Sequence, residues 1–151
     1  MLRRLILPAL LWIAVWPVAA GAAEPPETEY AALMLNDQKV GHMIEERRVD
    51  GDRVVSTVTT AMTLTRGGAT VKVTQVQQCT ETTEGEPIGF ETVSHMGIME
   101  QTVRGTIRED GTMKVVQQVG QQKMEREMPY PEGALMLEGA SLAEQRHGYE
   151  P

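Results

Sequence analysis

The side chains best able to do chemistry in this chain are one cysteine, two histidine–methionine pairs and a few carboxylates. Cys79 is the only cysteine, so an intramolecular disulfide is impossible and a free thiol is predicted. A thiol becomes a nucleophile when a base or a helix N-terminus lowers its pKa. The sequence near Cys79 offers neither, and we interpret Cys79 as a small, half-buried side chain on a strand.

The candidate ligands of a soft metal are His42-Met43 and His95-Met96, with Met99 nearby. Imidazole and thioether groups suit copper(I). However, adjacent residues of a strand point to opposite faces, so neither pair can close on one ion locally, and a regular strand would also oppose Met96 to Met99. Methionine is an ordinary filler of hydrophobic cores. Copper binding therefore remains an alternative, and we predict no cofactor and no metal.

Carboxylates are the third chemical candidate. The groups are Glu45 with Glu46, Glu81 with Glu84, and Glu125 with Glu127. Glu125 and Glu127 share one face of a strand, and a close pair of like charges can raise one pKa for acid–base work. Lys and Arg residues are interleaved with these carboxylates, which is typical of a solvated sheet face. We therefore predict no catalytic residue in this chain.

Period-2 alternation of apolar and polar residues runs from Thr28 to Met128 and predicts consecutive antiparallel strands. Asp50-Gly51 and Asp110-Gly111 are strong hairpin signals between them. The predicted strands are Tyr30–Leu35, Lys39–Val49, Arg53–Thr65, Thr70–Thr82, Ile88–Met99, Thr102–Arg108, Met113–Val119 and Gln122–Met128. Short connections favour pairing in chain order.

After Pro131 the spacing of apolar residues changes and predicts one helix over Ala134–Arg146, with Gly148 as its stop. The predicted fold is all-β, a curved antiparallel meander of about eight strands that forms an open barrel or half-barrel with the helix packed on it. A curled sheet lined by Val, Met, Leu and Ile could hold a lipid. The simpler interpretation is that the helix fills that space as core, and the sequence does not separate the two.

The N-terminal segment 1–23 has the pattern of a signal peptide. Arg3 and Arg4 precede an apolar run, and small residues follow it up to Ala23. The run is too short for a confident membrane span, which needs about 20 apolar residues. We predict cleavage near Ala22 or Ala23, and a periplasmic or secreted protein with no membrane span after cleavage.

Residues 24–151 have the length of one ordinary domain. The chain carries 14 Lys and Arg against 21 Asp and Glu, and loss of Arg3 and Arg4 changes the net charge from −7 to −9. Such an acidic chain repels phosphate backbones, so nucleic acid is excluded as an expected partner.

Two stretches of the chain are similar to an exported bacterial β-domain. The segment Tyr30–His42 has its tyrosine strand, its Asn turn and its Lys-Val-Gly followed by histidine, and Met128–Leu135 resembles its strand exit and helix entry. Gly148-Tyr149-Glu150-Pro151 resembles a segment that further strands follow in relatives. The domain is the one that precedes the catalytic core of exported bacterial transglutaminase-like proteins.

The resemblance implies a non-catalytic accessory domain, and it implies that residues 24–151 are the N-terminal part of a longer protein. The family's catalytic Cys, His and Asp would lie in an adjoining domain, so none of them is carried onto this chain, and Cys79 lies on a strand of the wrong domain. The expected partners are that catalytic domain or, in the alternative interpretation, a lipid or other hydrophobic ligand.

Overall fold

The computed structural model describes residues 25–148, and the predicted signal peptide lies outside them. Eight strands form one antiparallel sheet in chain order, and β1 and β8 are its open edges. The all-β meander with one C-terminal helix is confirmed. The elements are β1 (Glu27–Leu35), β2 (Gln38–Asp50), β3 (Arg53–Arg66), β4 (Ala69–Thr82), β5 (Pro87–Met96), β6 (Met99–Ile107), β7 (Thr112–Val119), β8 (Gln122–Pro129) and α1 (Leu137–His147).

Tight turns set the strand order, because a two-residue connection forces neighbouring strands to pair. Asn36 and Asp37 join β1 to β2 with φ angles of 49° and 60°. Both lie in the left-handed region, which asparagine and aspartate tolerate better than other side chains and which a type I′ hairpin requires. Gly51, which has no Cβ atom, adopts the same left-handed conformation in the turn between β2 and β3, with a φ of 64°.

Most strand boundaries lie within one residue of the sequence prediction, and the larger differences are at the start of β1, at the turn between β5 and β6, and at the start of α1. The predicted strand Ile88–Met99 is divided, because Gly97 has a φ of 61° and turns the chain with Ile98. Met99 therefore begins β6, and it pairs directly with Met96 across the hairpin. The two methionines share a face, so the expectation that they oppose each other is wrong. The strand β1 begins earlier than predicted, and α1 begins later, at Leu137.

The register divides the side chains between two faces of the sheet, because directly paired residues of antiparallel strands point the same way. We call the face that α1 covers the helix-side face. It carries the row Arg47, Ser56, Cys79, Phe90 and Gly105, which runs from β2 to β6. We call the other one the opposite face.

Full burial is confined to the part of the helix-side face where α1 begins. Among the described residues, the buried apolar side chains are Val54 and Cys79, and the buried polar ones are Ser56, Glu81 and Glu138. The rest of the sheet is half-buried or exposed. No helix within residues 25–148 is both long and apolar enough to cross a membrane.

Candidate functional site

The start of α1 is held by a carboxylate from the sheet. The first residues of a helix leave backbone N–H groups without partners inside the helix. The side chain of Met136 provides no cap for them. Instead Glu81, at 0% exposure, accepts the N–H of Glu138 on Oε2 at 2.7 Å and the N–H of Gly139 on Oε1 at 2.9 Å. A negative charge at this end also complements the helix dipole.

A second carboxylate, that of Glu138, belongs to the helix itself. We call Glu81, Glu138 and its partner Arg47 the anchor of α1. Glu138 is 5% exposed, and its carboxylate accepts hydrogen bonds from Nε and Nη2 of Arg47 at 2.7 and 2.8 Å. Such a two-bond pair fixes orientation as well as distance. Arg47 lies 3.6 Å from the exposed carboxylate of Glu27 as well. The hydrogen bond to Glu138 is the main reason that the pKa of Arg47 is raised. The sheet therefore binds α1 through polar contacts.

Glycines allow the close approach of these elements. A Cβ atom on Gly139 would lie 2.8 Å from the carbonyl oxygen of Gly85, so only glycine fits where α1 meets the β4–β5 turn. A Cβ atom on Gly105 would overlap the ring of Phe90. The ring therefore covers the backbone of β6, and Phe90 also lines the space beneath α1.

Cys79 lies beside this anchor and is 2% exposed. Burial is the main cause of its raised pKa, the Glu81 carboxylate adds to it, and hydrogen bonds from Gln77 and the Leu137 backbone oppose it. No residue near Cys79 in the sequence indicates a helix N-terminus, but the structure places the start of α1 beside it. Glu81 occupies that terminus, and the raised pKa of Cys79 favours the thiol over the nucleophilic thiolate.

A cavity of about 430 Å³ opens between α1 and the helix-side face. No charged side chain contributes to its wall, and Gln77 and Thr92 are its polar members. It is lined by Gln77, Cys79, Phe90, Thr92, Leu135, Met136, Leu137 and Ala140. The sequence predicted a space of this kind and left open whether the helix fills it. The structure places α1 over the space without filling it.

Charge is distributed unequally between the two faces. On β3–β8, a contiguous set of helix-side positions between the Cys79 row and the far hairpin ends holds no charged residue, and we call this set the uncharged block. Arg126 of β8 continues the Cys79 row through Val115 and lies at the border of the block. The block comprises Val58, Thr60, Met62, Leu64, Val71, Val73, Gln75, Gln77, Thr92, Ser94, Met96, Met99, Gln101, Val103, Gln117, Val119, Gln122 and Met124. The opposite face carries Glu46, Arg48, Lys72, Glu91, Glu100, Arg104, Lys114, Lys123, Glu125 and Glu127.

The far end of the uncharged block is a row of four apolar side chains, which we call the methionine row. It consists of Met62, Val73, Met96 and Met99, on four neighbouring strands. Met96 and Met99 are 51% and 59% exposed. Exposed apolar side chains are ordinary one at a time, but a contiguous group often marks an interaction site.

The register does not bring the candidate metal ligands together. His42 and His95 lie in one row on the opposite face, three strands apart, which is roughly 14 Å at the usual strand spacing. Met43, Met96 and Met99 lie on the helix-side face. His95 instead faces Glu100, with 3.4 Å between Nδ1 and Oε2. Within residues 25–148, no group of three or more His, Cys, Asp or Glu side chains could hold a metal ion.

The candidate carboxylates lie in different environments. Oε2 and Oε1 of Glu125 lie 2.9 and 2.7 Å from the ammonium groups of Lys114 and Lys123. Hydrogen bonds from these two groups lower the pKa of Glu125 to about 2, the reverse of the raised pKa that an acid–base pair needs. Glu127 pairs with Arg108 at 2.8 Å. Glu81, which the sequence placed in a solvated group, is instead fully buried.

An acidic groove flanks α1 on its other side, against β1 and β2. Its carboxylates come from Glu27, Glu29, Glu45 and Glu144. The guanidinium of Arg47 is its basic group and is already bonded to Glu138. The groove and the cavity meet at the helix, because Leu137 and Ala140 line both.

Comparison with known proteins identifies no relative: no family model, no curated protein and no solved structure matches this chain.

Proposed function

We propose that this chain is an exported, non-catalytic accessory domain that precedes a transglutaminase-like catalytic domain and positions it. The observation that carries the proposal is the open, uncharged block of the helix-side face, which ends in the methionine row. On β3–β8 the charged residues are concentrated on the opposite face, as is typical of a solvated sheet face. The helix-side face is therefore the one suited to contact another protein surface.

The chemistry of the methionine row suits a domain contact. Methionine side chains are flexible and polarizable, so they adapt to the shape of a partner. The neighbouring positions of the block are Thr, Ser and Gln, which can hydrogen-bond across a contact without the cost of burying a charge. The resemblance at Tyr30–His42 and Met128–Leu135 supports an adjoining transglutaminase-like domain as the occupant.

The first experiment is to read the gene downstream of the codon for Pro151. We expect the reading frame to continue into a domain with the Cys, His and Asp of a transglutaminase-like core. A stop codon directly after Pro151 would rule out this function.

The second experiment measures contact by oxidation. The protein encoded by the whole gene and the 151-residue chain are treated with dilute hydrogen peroxide, and methionine sulfoxide is quantified by mass spectrometry. We expect Met96 and Met99 to be protected in the longer protein. Met34, 58% exposed on the edge strand β1, is the internal control and should oxidise equally in both. Equal oxidation of Met96 and Met99 in the two proteins would contradict docking on this row.

A second candidate function is transport of a hydrophobic ligand in the periplasm, and the cavity beneath α1 favours it. Pockets that bind small molecules have similar volumes, about 300–1,000 Å³, and mostly apolar walls. Native mass spectrometry of the protein, purified gently from its own periplasm, should show a bound lipid. A mass equal to that of the polypeptide alone would count against this function.

A further inference from the structure

We propose that the cavity beneath α1 binds the hydrocarbon chain of a neutral, single-chain lipid, such as a monoacylglycerol or a long-chain alcohol. The inference rests on the second candidate function and specifies its ligand and its site. It requires a wall that accepts hydrocarbon, a path long enough for the chain, and surroundings that reject a negative head group.

The wall accepts hydrocarbon because its largest members are apolar. Phe90 contributes to it from the sheet, Leu135 from the segment before α1, and Leu137 from the first residue of α1. A charged ligand group would find no counter-ion here, and removing it from water would be costly. The amide of Gln77 and the hydroxyl of Thr92 leave room for at most a few hydrogen bonds. An apolar chain therefore fits this wall better than a sugar, a peptide or a nucleotide.

The uncharged block gives the chain room to extend beyond the cavity. From Cys79 along β4 the helix-side positions pass the amides of Gln77 and the exposed Gln75, and they return to an apolar side chain at Val73. Six residues of a strand span about 20 Å. One acyl chain spans half of a bilayer's hydrocarbon core, which is about 15 Å. A single chain thus fits between the anchor of α1 and the methionine row.

The groove on the other side of α1 sets the charge of the head group. Glu27, Glu29, Glu45 and Glu144 line it, and Arg47 is committed to the anchor. A carboxylate or phosphate emerging beside Leu137 and Ala140 would meet this negative potential. We therefore expect a neutral head group to bind about fivefold more tightly than a carboxylate on the same chain.

Met136 makes the site measurable, because its side chain lies in the cavity wall. Monolauroylglycerol and laurate, each below its micelle concentration, are titrated onto the protein. Native mass spectrometry counts bound molecules, and the carbon-13 NMR resonance of the Met136 methyl group reports occupancy of the cavity. We expect one bound molecule, a saturable shift of the Met136 resonance, and weaker binding of laurate.

Two variants locate the binding. Thr92→Phe fills the cavity, and Leu135→Glu places a carboxylate at its rim on a side chain that is 54% exposed, so that folding is spared. Each should weaken monolauroylglycerol binding about tenfold or more. The matched control is Thr102→Phe, because Thr102 is a half-buried threonine on the opposite face, and this variant should bind normally.

The outcomes separate the site from the function. Binding that survives both Thr92→Phe and Leu135→Glu, or laurate that binds as tightly as monolauroylglycerol, would overturn the inference. If a lipid is nevertheless found on the protein from its own periplasm, the transport function stands and its site lies elsewhere. If the protein carries no lipid from its periplasm and binds neither probe, both the proposed site and the transport function are contradicted.

Discussion

The carboxylate of Glu81 holds the start of α1 on the sheet, and the substitution Glu81→Gln tests this role with minimal change of shape. Glutamine keeps one acceptor oxygen but presents an NH₂ group where the second oxygen was. One of the two backbone donors, the N–H of Glu138 or of Gly139, then faces another donor. The substitution also removes the negative charge from the N-terminal end of the helix.

The size of the effect follows from these contacts. A hydrogen bond to an ionised group contributes about 1.5 to 3 kcal/mol, and a buried donor left without a partner costs about 1 to 3 kcal/mol. One bond becomes neutral and the other is lost, at a site with 0% exposure. We expect the free energy of unfolding to fall by about 2 to 4 kcal/mol. The fall should be at the lower end of this range if α1 detaches from the sheet and water reaches its amides.

The assay is equilibrium unfolding in urea followed by circular dichroism, combined with amide hydrogen exchange at Glu138 and Gly139. Exchange of these two amides should become faster in Glu81→Gln. The matched control is Glu84→Gln, because Glu84 lies in the adjacent turn, is exposed and accepts a hydrogen bond only from Thr83 among the described contacts. Its effect should stay within about 0.5 kcal/mol.

The result that would refute the reasoning is equal behaviour of the two variants. If Glu81→Gln has the urea midpoint of Glu84→Gln and the amides of Glu138 and Gly139 exchange as in the parent protein, Glu81 does not hold the helix.

Three further predictions concern other contacts. Glu125 should titrate with a pKa of about 2, and Glu125→Gln should reduce the loss of stability as pH falls from 4.5 towards 2, because a lowered pKa stabilises the fold only above that range. Arg47→Gln should lower the free energy of unfolding in urea by about 2 to 4 kcal/mol, since it leaves the Glu138 charge buried without its partner. Gly105→Ala should lower it by about 1 to 3 kcal/mol, because the new methyl group displaces the Phe90 ring.

Each of these predictions has its own control. Lys123→Gln should raise the pKa of Glu125, measured by carbon-13 NMR of the carboxyl group, and an unchanged pKa would contradict the assigned cause. Arg48→Gln removes the neighbouring arginine from the opposite face and should be nearly neutral. Thr106→Ala, beside Gly105 but exposed, should also be nearly neutral. Equal losses in target and control would show that these contacts do not stabilise the fold.

The methionines show the limit of alternation as a local signal. The predicted strand continues through Gly97 to Met99, although glycine is the residue that most easily adopts the left-handed conformation found there. The turn at Gly97 and Ile98 changes the parity of every following side chain. It therefore places Met99 beside Met96, where the uninterrupted strand had opposed them.

The sequence by itself determined the strands, their order and most of their turns, because alternation and turn residues act on neighbouring positions. Only the tertiary structure decided which carboxylate is buried and that the thiol of Cys79 lies at a helix terminus. Glu81 and Glu138 are 57 residues apart in the chain. Their contact depends on where α1 meets the sheet, and no local pattern encodes that position. Charge shows the same division. Alternation predicts that the sheet has two faces, whereas the register of β3–β8 concentrates their charged residues on the opposite face.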